Sequence, residues 1–580
     1  MARGRIDQAP GRRKDPADRM DPSTQLLIAA LVLGGVPLLV GWASLHLAAL
    51  LTGGQDVPGN PIAVPIQLVS GDLTWPTAAT VIAVLLVAGS LGLFIAAGIW
   101  RGRRIGRRTR VDARAQHLGR GRQLDSISEA GARTTAKRLG VAEDNPGVAI
   151  GRAVDGKKML YAGWEDLHVD IWGPRTGKTT SRVIPAILDA PGAVVTTSNK
   201  RDVVDATRLI REQAGQVWVF DPQQVATEPA SWWWDPLSYV TDDITAAKLA
   251  QHFVASTSDA GAKADAYFEP EGKDLITGYI LAAALAGDPI TQVYTWVTTP
   301  DDTRAVVELR EGGYQRIADG LQAAMDLTPK QRDGVYGTAK KMISPLRSRA
   351  IEQWVTPQEG RPHFDPAAFL CESGTLYLLS REGEGSASAL VTALSVAVIE
   401  AAEQLATRSP GGRLAVPLVA ALDEAANVVR WTELPSLYSH YGSRGIVILT
   451  ILQSWSQGKA LWGEEGMEKL WSAANIAVYG GGVREAGFLR SLSELVGDHD
   501  EITGSIQTGR GAGVSISQQR QQRRTLTVDE LQAWPRGRAL VLSSGNPPTI
   551  VETVPWFTRP DAARVQESIA HYQPRGEESA

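Results

Sequence analysis

Apolar residues fall along this chain in three different rhythms. Near the start, Gln25–Leu51 and Thr77–Trp100 are long runs without a formal charge. Each exceeds the roughly 20 helical residues that cross a hydrocarbon core of about 30 Å. Further on, short apolar runs alternate with helical periodicity. Leu167–Ile171, Ala193–Ser198, Gln216–Asp221, Gly374–Ser380, Ala415–Leu422, Gly445–Leu452, Asn475–Gly480 and Ala539–Ser543 read as strands. Ser181–Leu188, the segment after Asn199, and Ser386–Ala406 read as helices. Strands alternating with helices predict a parallel sheet covered on both faces, with ligands at the carboxyl ends of its strands. Between Ile244 and about Arg349 the period is helical throughout, at Ile244–Ser256, Tyr267–Ala286, Thr291–Val297, Thr303–Glu311, Tyr314–Met325 and Lys330–Pro345. That stretch predicts an all-α insertion in the α/β domain.

The pattern divides the chain into five parts. Residues 1–114 form a cytoplasmic N-terminus and two-helix membrane anchor, and 115–240 a linker plus the first half of the α/β domain. The insertion takes 241–368, the second half 369–560, and 561–580 form a polar tail. Within the linker, Ser126–Leu139 reads as a short helix. Arg510–Arg524, rich in Gly, Ser, Gln and Arg, reads as a polar, mobile loop.

Charge fixes the expected topology. Residues 1–114 carry 13 Lys and Arg against 7 Asp and Glu, so +6 of a total of −4, which leaves −10 for the remainder. The arginines lie outside the pair of apolar runs, at Arg3–Arg19 and Arg101–Arg114, and Thr52–Pro76 has no Lys or Arg. The positive-inside rule places both ends in the cytoplasm. With 43% hydrophobic and 21% charged residues the chain is not wholesale disordered. A single cysteine, Cys371, excludes an internal disulfide framework and a Cys-based zinc site.

The chemistry-bearing stretch is Gly173-Pro174-Arg175-Thr176-Gly177-Lys178-Thr179-Thr180, between a strand and a helix. This is the layout of a P-loop. Backbone N–H groups and the helix N-terminus cradle phosphates, Lys178 reaches the β/γ-phosphates of ATP, and the Thr179 hydroxyl binds Mg²⁺. The usual first-glycine position, five residues before Gly177 in the G-x-x-x-x-G-K-[ST] pattern, holds Trp172. Ala415–Leu422 ends in Asp423-Glu424, the Walker B shape, with Asp423 a second Mg²⁺ ligand and Glu424 the group that polarises water. Gln453 at the tip of the next strand is placed to sense the γ-phosphate. In a ring, Arg444, Arg484 or Arg490 could reach a neighbour's nucleotide as an arginine finger. Trp232-Trp233-Trp234 reads as packing in preference to base stacking. Lys330, Arg332, Lys340, Lys341, Arg347 and Arg349 read as a solvated helix face.

In this order, the motifs resemble those of the TraG/TraD-like coupling proteins of conjugative type IV secretion, within the FtsK/HerA group of P-loop motors. The residues that carry the likeness are Gly173–Thr179 with Pro185, Ser198-Asn199-Lys200-Arg201-Asp202 where that family reads Asp-Pro-Lys-Gly-Glu, Trp234–Leu237, Leu422–Asn427, and Ser443–Ile446 with Ile451–Ser454. The resemblance implies a RecA-like P-loop ATPase domain. It implies ATP and Mg²⁺ as cofactors, and a homo-hexamer in the bacterial inner membrane. Its partners would be single-stranded DNA with a relaxase, and the channel components of the secretion system. Two other readings stand beside it. One is an FtsK-like translocase on double-stranded DNA, for which about 20 residues after Pro560 are too few for a winged helix. The other is a protein-docking receptor using nucleotide as an assembly switch.

Overall fold

The computed structural model describes residues 35–574, apart from 54–55, 106–108, 143–144, 258–264, 382, 384–385 and 510–511. The chain separates into two compact units, Met1–Thr109 and Arg110–Ala580.

In the first unit, helices Val36–Thr52 and Thr77–Ile105 flank a short helix, Ala63–Ser70. Leu45, Ala48, Val64, Leu73 and Ala79 pack into a small core between them. The indole N–H of Trp42 donates to the Pro58 carbonyl (2.9 Å). Outside that contact the apolar side chains face outward, among them Leu39, Leu50, Val69, Val84 and Leu85. Residues 25–34 of the first expected span lie outside the described residues. Among the described residues, Ser388–Arg408 is the helix long and apolar enough to cross a membrane. It is largely buried in the second unit, so it is a core helix. Val36–Thr52 and Thr77–Leu93 are shorter apolar stretches.

The second unit is built on an 11-stranded sheet among the described residues. In chain order the strands are β1 (Val148–Ala153), β2 (Met159–Ala162), β3 (His168–Ile171), β4 (Val194–Ser198), β5 (Val217–Phe220), β6 (Thr375–Leu379), β7 (Leu418–Leu422), β8 (Ile446–Leu452) and β9 (Ile476–Tyr479). The hairpin strands β10 (Asp498–Gly509) and β11 (Ala512–Arg524) follow, then β12 (Arg538–Ser543) and β13 (Thr549–Glu552). The spatial order is β2-β1-β13-β12-β9-β3-β8-β7-β4-β6-β5. From β9 to β5 every pairing is parallel. The β9–β12, β12–β13, β13–β1 and β1–β2 pairings are antiparallel. The parallel strands β3, β4, β6, β7, β8 and β9 are buried along their whole length, as expected where helices cover both faces.

The insertion is helical as expected, with Asp243–Thr257, Phe268–Ala286, Thr291–Thr298, Arg304–Glu311, Gln315–Met325 and Pro329–Met342. Trp232 and Trp234 are buried, Trp232 among Trp218, Phe220, Trp354 and Phe364 at ring separations of 5.3–6.0 Å. They are packing residues.

Three expectations need correction. The linker 115–165 supplies β1 and β2, whose strand pattern is broken by Gly151 and Arg152. Asp498–Gly509 and Ala512–Arg524 pair as a long antiparallel hairpin where a loop was expected at Arg510–Arg524. Alternation in its second strand is confined to Ala512, Val514 and Ile516 among Gly and Ser, and Gln518–Arg524 is wholly polar, so the periodic signal is too short to stand out from a loop. The expected tail contains the helix Ala562–Tyr572, whose Val565 and Ile569 pack against Ile184, Ala206 and Ile210.

Candidate nucleotide site

β3 ends at Ile171 and the chain turns through Trp172–Lys178 into a helix. That helix opens with a π-turn at Thr179–Val183 and continues as Ile184–Asp189. Gly177 takes φ +97°, a conformation open to glycine, and Arg175 is held at φ +60°. Thr176 Oγ1 donates to the Gly173 carbonyl (2.5 Å) and Thr180 Oγ1 to that of Gly177 (3.0 Å).

Trp172 at the usual glycine position is explained by its neighbours. Its side chain is buried, and a Cβ at Gly480 would overlap its indole. Likewise a Cβ at Gly173 would strike the backbone of Gly482. Gly173 N–H donates to the Gly481 carbonyl (2.8 Å), and Gly480 N–H to that of Ile171 (3.0 Å). The glycine requirement is thus shared with the loop after β9. Gly480-Gly481-Gly482 is a site element that sequence reading passed over, although three successive glycines after a strand were the available signal.

The P-loop helix is anchored from beneath. Arg182, 1% exposed, donates to Asp170 Oδ2 (2.6 Å), His168 Nδ1 (2.9 Å) and the Ala149 carbonyl (2.7 Å). His168 and Asp170 are the polar members of the β3 alternation, yet both are fully buried. Burial holds the His168 ring well below its ordinary pKa, and Arg182 adds to that. Burial raises the Asp170 carboxyl against the opposing pull of Arg182.

β7 lies two strands from β3, across β8, and brings Asp423 and Glu424 to the same edge. Lys178 Nζ contacts Glu424 Oε1 and lies 3.1 Å from Asp423 Oδ1. Thr179 Oγ1 is 3.5 Å from Asp423 Oδ2, and Gln453 Nε2 donates to Glu424 Oε1 (2.7 Å). Five residues chosen from three strand ends therefore meet in one cluster. Glu424 sits at φ +55°, left-handed backbone for a non-glycine residue. Burial raises the Asp423 carboxyl to about 6, with Lys178 opposing and Glu424 adding to the rise. Burial pulls the Lys178 ammonium down, but Asp423 and Glu424 outweigh it and leave it raised. Glu424 Oε2 is buried without a hydrogen-bond partner. An orphaned buried carboxylate oxygen beside a hydroxyl and a second carboxylate is a donor set of hard oxygens. Such a set fits a magnesium ion and an ordered water.

The segment that supplies most of this edge also decides the comparison with known proteins. Residues 417–536 match the family model described as the TraM recognition site of TraD and TraG. Over that segment the chain resembles TraD and TraG. The matched segment holds Asp423, Glu424, Gln453 and Gly480–Gly482, while Lys178 precedes it. Among solved structures, the fold is similar to the unbound monoclinic form of the bacterial conjugative coupling protein TrwBdeltaN70. That likeness has 16% identity over 73% of this chain and 91% of that one, with a TM-score of 0.51. The trigonal form of the same protein in complex with sulphate matches at 16% identity over 67% and 86%, TM-score 0.50. At this identity the likeness is one of fold. No curated protein sequence matches the chain.

The remaining candidates lie elsewhere. Arg444 precedes β8, at the opposite edge of the sheet from Gln453, where it pairs with Glu403 (3.3 Å) and Thr407 (2.5 Å). The structure does not bring Arg444 into the cluster. Arg484 is exposed on the loop after Gly482, and Arg490 is exposed on the helix Ala486–Val496. Pro174 and Arg175 are exposed at the tip of the P-loop.

Proposed function

We propose that this chain is a membrane-anchored ATPase of the conjugative coupling type. It would use ATP with Mg²⁺ to drive single-stranded DNA, with its relaxase, into a type IV secretion channel. The observation that carries the reading is the convergence of Lys178, Thr179, Asp423, Glu424 and Gln453 at the carboxyl ends of three parallel strands.

The arrangement suggests how hydrolysis proceeds. Lys178 is held by carboxylates, and in the ATP complex it exchanges them for β- and γ-phosphate oxygens. Gly173–Thr180 cradles the phosphates through backbone N–H groups. Thr179 and Asp423 would hold Mg²⁺, which neutralises phosphate charge when bound. Glu424, freed from Lys178 and steadied by Gln453, accepts a proton from the attacking water. The γ-phosphorus gains that oxygen and releases ADP.

The two apolar runs serve as inner-membrane spans with both ends in the cytoplasm, supported by the outward apolar faces of Val36–Thr52 and Thr77–Leu93. The working assembly is a homo-hexamer, in which Arg444, distant from its own subunit's site, would have to leave Glu403 and Thr407 to act on a neighbour's. A docking receptor is the second reading, favoured by the description of the matched family segment as a recognition site for TraM.

ATP hydrolysis by the full chain in detergent, with no DNA, single strands or duplex at fixed salt, separates these readings. Stimulation by single strands, lost in Lys178→Ala, supports the coupling motor. Hydrolysis indifferent to DNA supports the receptor.

A further inference from the structure

The second loop at the same edge of the sheet, Ser198–Asp202, leads from β4 into the helix Asp202–Arg211. β4 is the direct neighbour of β7, and Thr197 Oγ1 donates to the Asp423 carbonyl (2.8 Å). The loop therefore starts beside the Walker B pair. Lys200 N–H is tied back to Ser198 Oγ (3.1 Å), while the Lys200 side chain is exposed and makes no salt bridge among the described residues. Its charge acts on Asp202, whose carboxyl burial raises, and the charge of Asp202 in turn acts on Asp423. A lysine at this mouth is placed for an anion that arrives from outside.

The next residue holds the loop still. Arg201 donates from Nε and Nη2 to the two oxygens of Asp205 (2.7 and 3.1 Å) and from Nη2 to the Tyr572 carbonyl (2.6 Å). Tyr572 is the last residue of the helix Ala562–Tyr572, where unpaired carbonyls and the negative end of the helix dipole attract a cation. The same helix is fastened along its length. Ser568 Oγ donates to the Asp205 carbonyl (2.6 Å) and accepts from Leu209 N–H (3.2 Å), and Arg208 lies over the Tyr572 ring at 4.6 Å. Arg559 pairs with Asp189 at the end of the P-loop helix (Nη1 to Oδ2, 3.0 Å). One C-terminal segment thus grips the helices that follow both phosphate-side loops.

We propose that Lys200 is a further nucleotide-contacting residue, reaching the γ-phosphate from the β4 side, and that the C-terminal helix, through Arg201, is the latch that positions it. This rests on the ATP-site reading above, and the test separates the two. Competition against a fluorescent ATP analogue gives the affinities of the full-length protein for ATP and ADP. Lys200→Ala weakens ATP about tenfold, the scale of one lost charge-assisted contact, and leaves ADP within about twofold. Lys200→Arg restores the preference for ATP, and Lys200→Gln repeats the loss. Arg201→Ala lowers the preference in the same direction, which a purely structural role would not do. An ATP-to-ADP affinity ratio unchanged in Lys200→Ala and Lys200→Gln overturns the proposal while Lys178→Ala still abolishes binding. ATP binding that survives Lys178→Ala removes the placement of ATP at Gly173–Thr180, and the proposal with it.

Discussion

The two edges of the parallel sheet are built from similar residues put to opposite uses. At the amino edge, arginines find partners close by, although Arg413 Nε is buried without one among the described residues. Arg444 pairs with Glu403 and Thr407, and Arg413 donates to the carbonyls of Gly442 (3.0 Å) and Ser443 (3.2 Å). At the carboxyl edge, glycine loops bring backbones into contact, Glu424 is left-handed, one of its oxygens has no partner, and Asp423 is buried with its carboxyl raised. Cost without local return marks the edge where a ligand completes the structure. The difference shows why an arginine beside a strand cannot be assigned to a site from sequence distance alone. Arg444 and Gln453 flank the same strand yet lie at its opposite ends.

The contrast can be broken most severely at the carboxyl edge. Lys178→Ala removes a cation that faces both carboxylates and should abolish ATP hydrolysis, a loss of at least about 10²-fold for a group acting on transition-state charge. Retained turnover in a phosphate-release assay would break the comparison. Next comes a core residue between the edges. Trp232→Ala should destabilise the fold by about 3–5 kcal/mol, as for a large buried aromatic. Its unfolding midpoint in urea checks this, and loss of DNA affinity without loss of stability would revive base stacking. A third test uses acid. Asp423, its carboxyl raised to about 6 by burial, takes up a proton as pH falls through that value, and a protonated carboxyl would no longer hold Mg²⁺. Mg²⁺-dependent hydrolysis should therefore decline below about pH 6, and Mn²⁺ or Mg²⁺ titrations at pH 5.5 and 7.5 should show weaker metal dependence on the acid side. The buried His252 ring, held down at about 3 by desolvation, adds an acid effect on stability. Its contribution is complete above about 6.5 and lost as pH falls toward 3, so His252→Leu should flatten the pH dependence of melting over that window. The smallest effect belongs to the amino edge. Arg444→Ala should cost no more than the roughly 0.2–1 kcal/mol of a partly exposed ion pair. A large fall in turnover of the assembled protein would instead show that it acts across a subunit boundary.

Much of this was legible because burial leaves a clear imprint on apolar spacing. Apart from the hairpin, the strands from Leu167 to Ser543 and the six insertion helices lie where their periodicity places them, within a few residues. The Lys178, Asp423, Glu424 and Gln453 cluster was legible because each residue stands at the end of a buried strand, and parallel strands bring their ends together. Elements whose stability comes from outside themselves were hidden. β1 and β2 gain their partners from β13 and from each other. The hairpin is polar, and the final helix shows only a few apolar contacts and a set of charged ties. Arg182 was hidden for a different reason. Its partners His168 and Asp170 occupy the positions that alternation assigns to a solvent face, and the buried ion pair is visible only once the helix lies across the strand.

The most direct test of the account is a single-turnover experiment on the full-length Glu424→Gln protein with labelled ATP and Mg²⁺. The account predicts that ATP stays bound with affinity close to that of the wild type while phosphate release falls by about 10²–10⁴-fold, since the group that accepts the proton of water is gone and the phosphate cradle is intact. Phosphate release at the wild-type rate would contradict it, and would move the chemistry away from the Asp423–Glu424 edge.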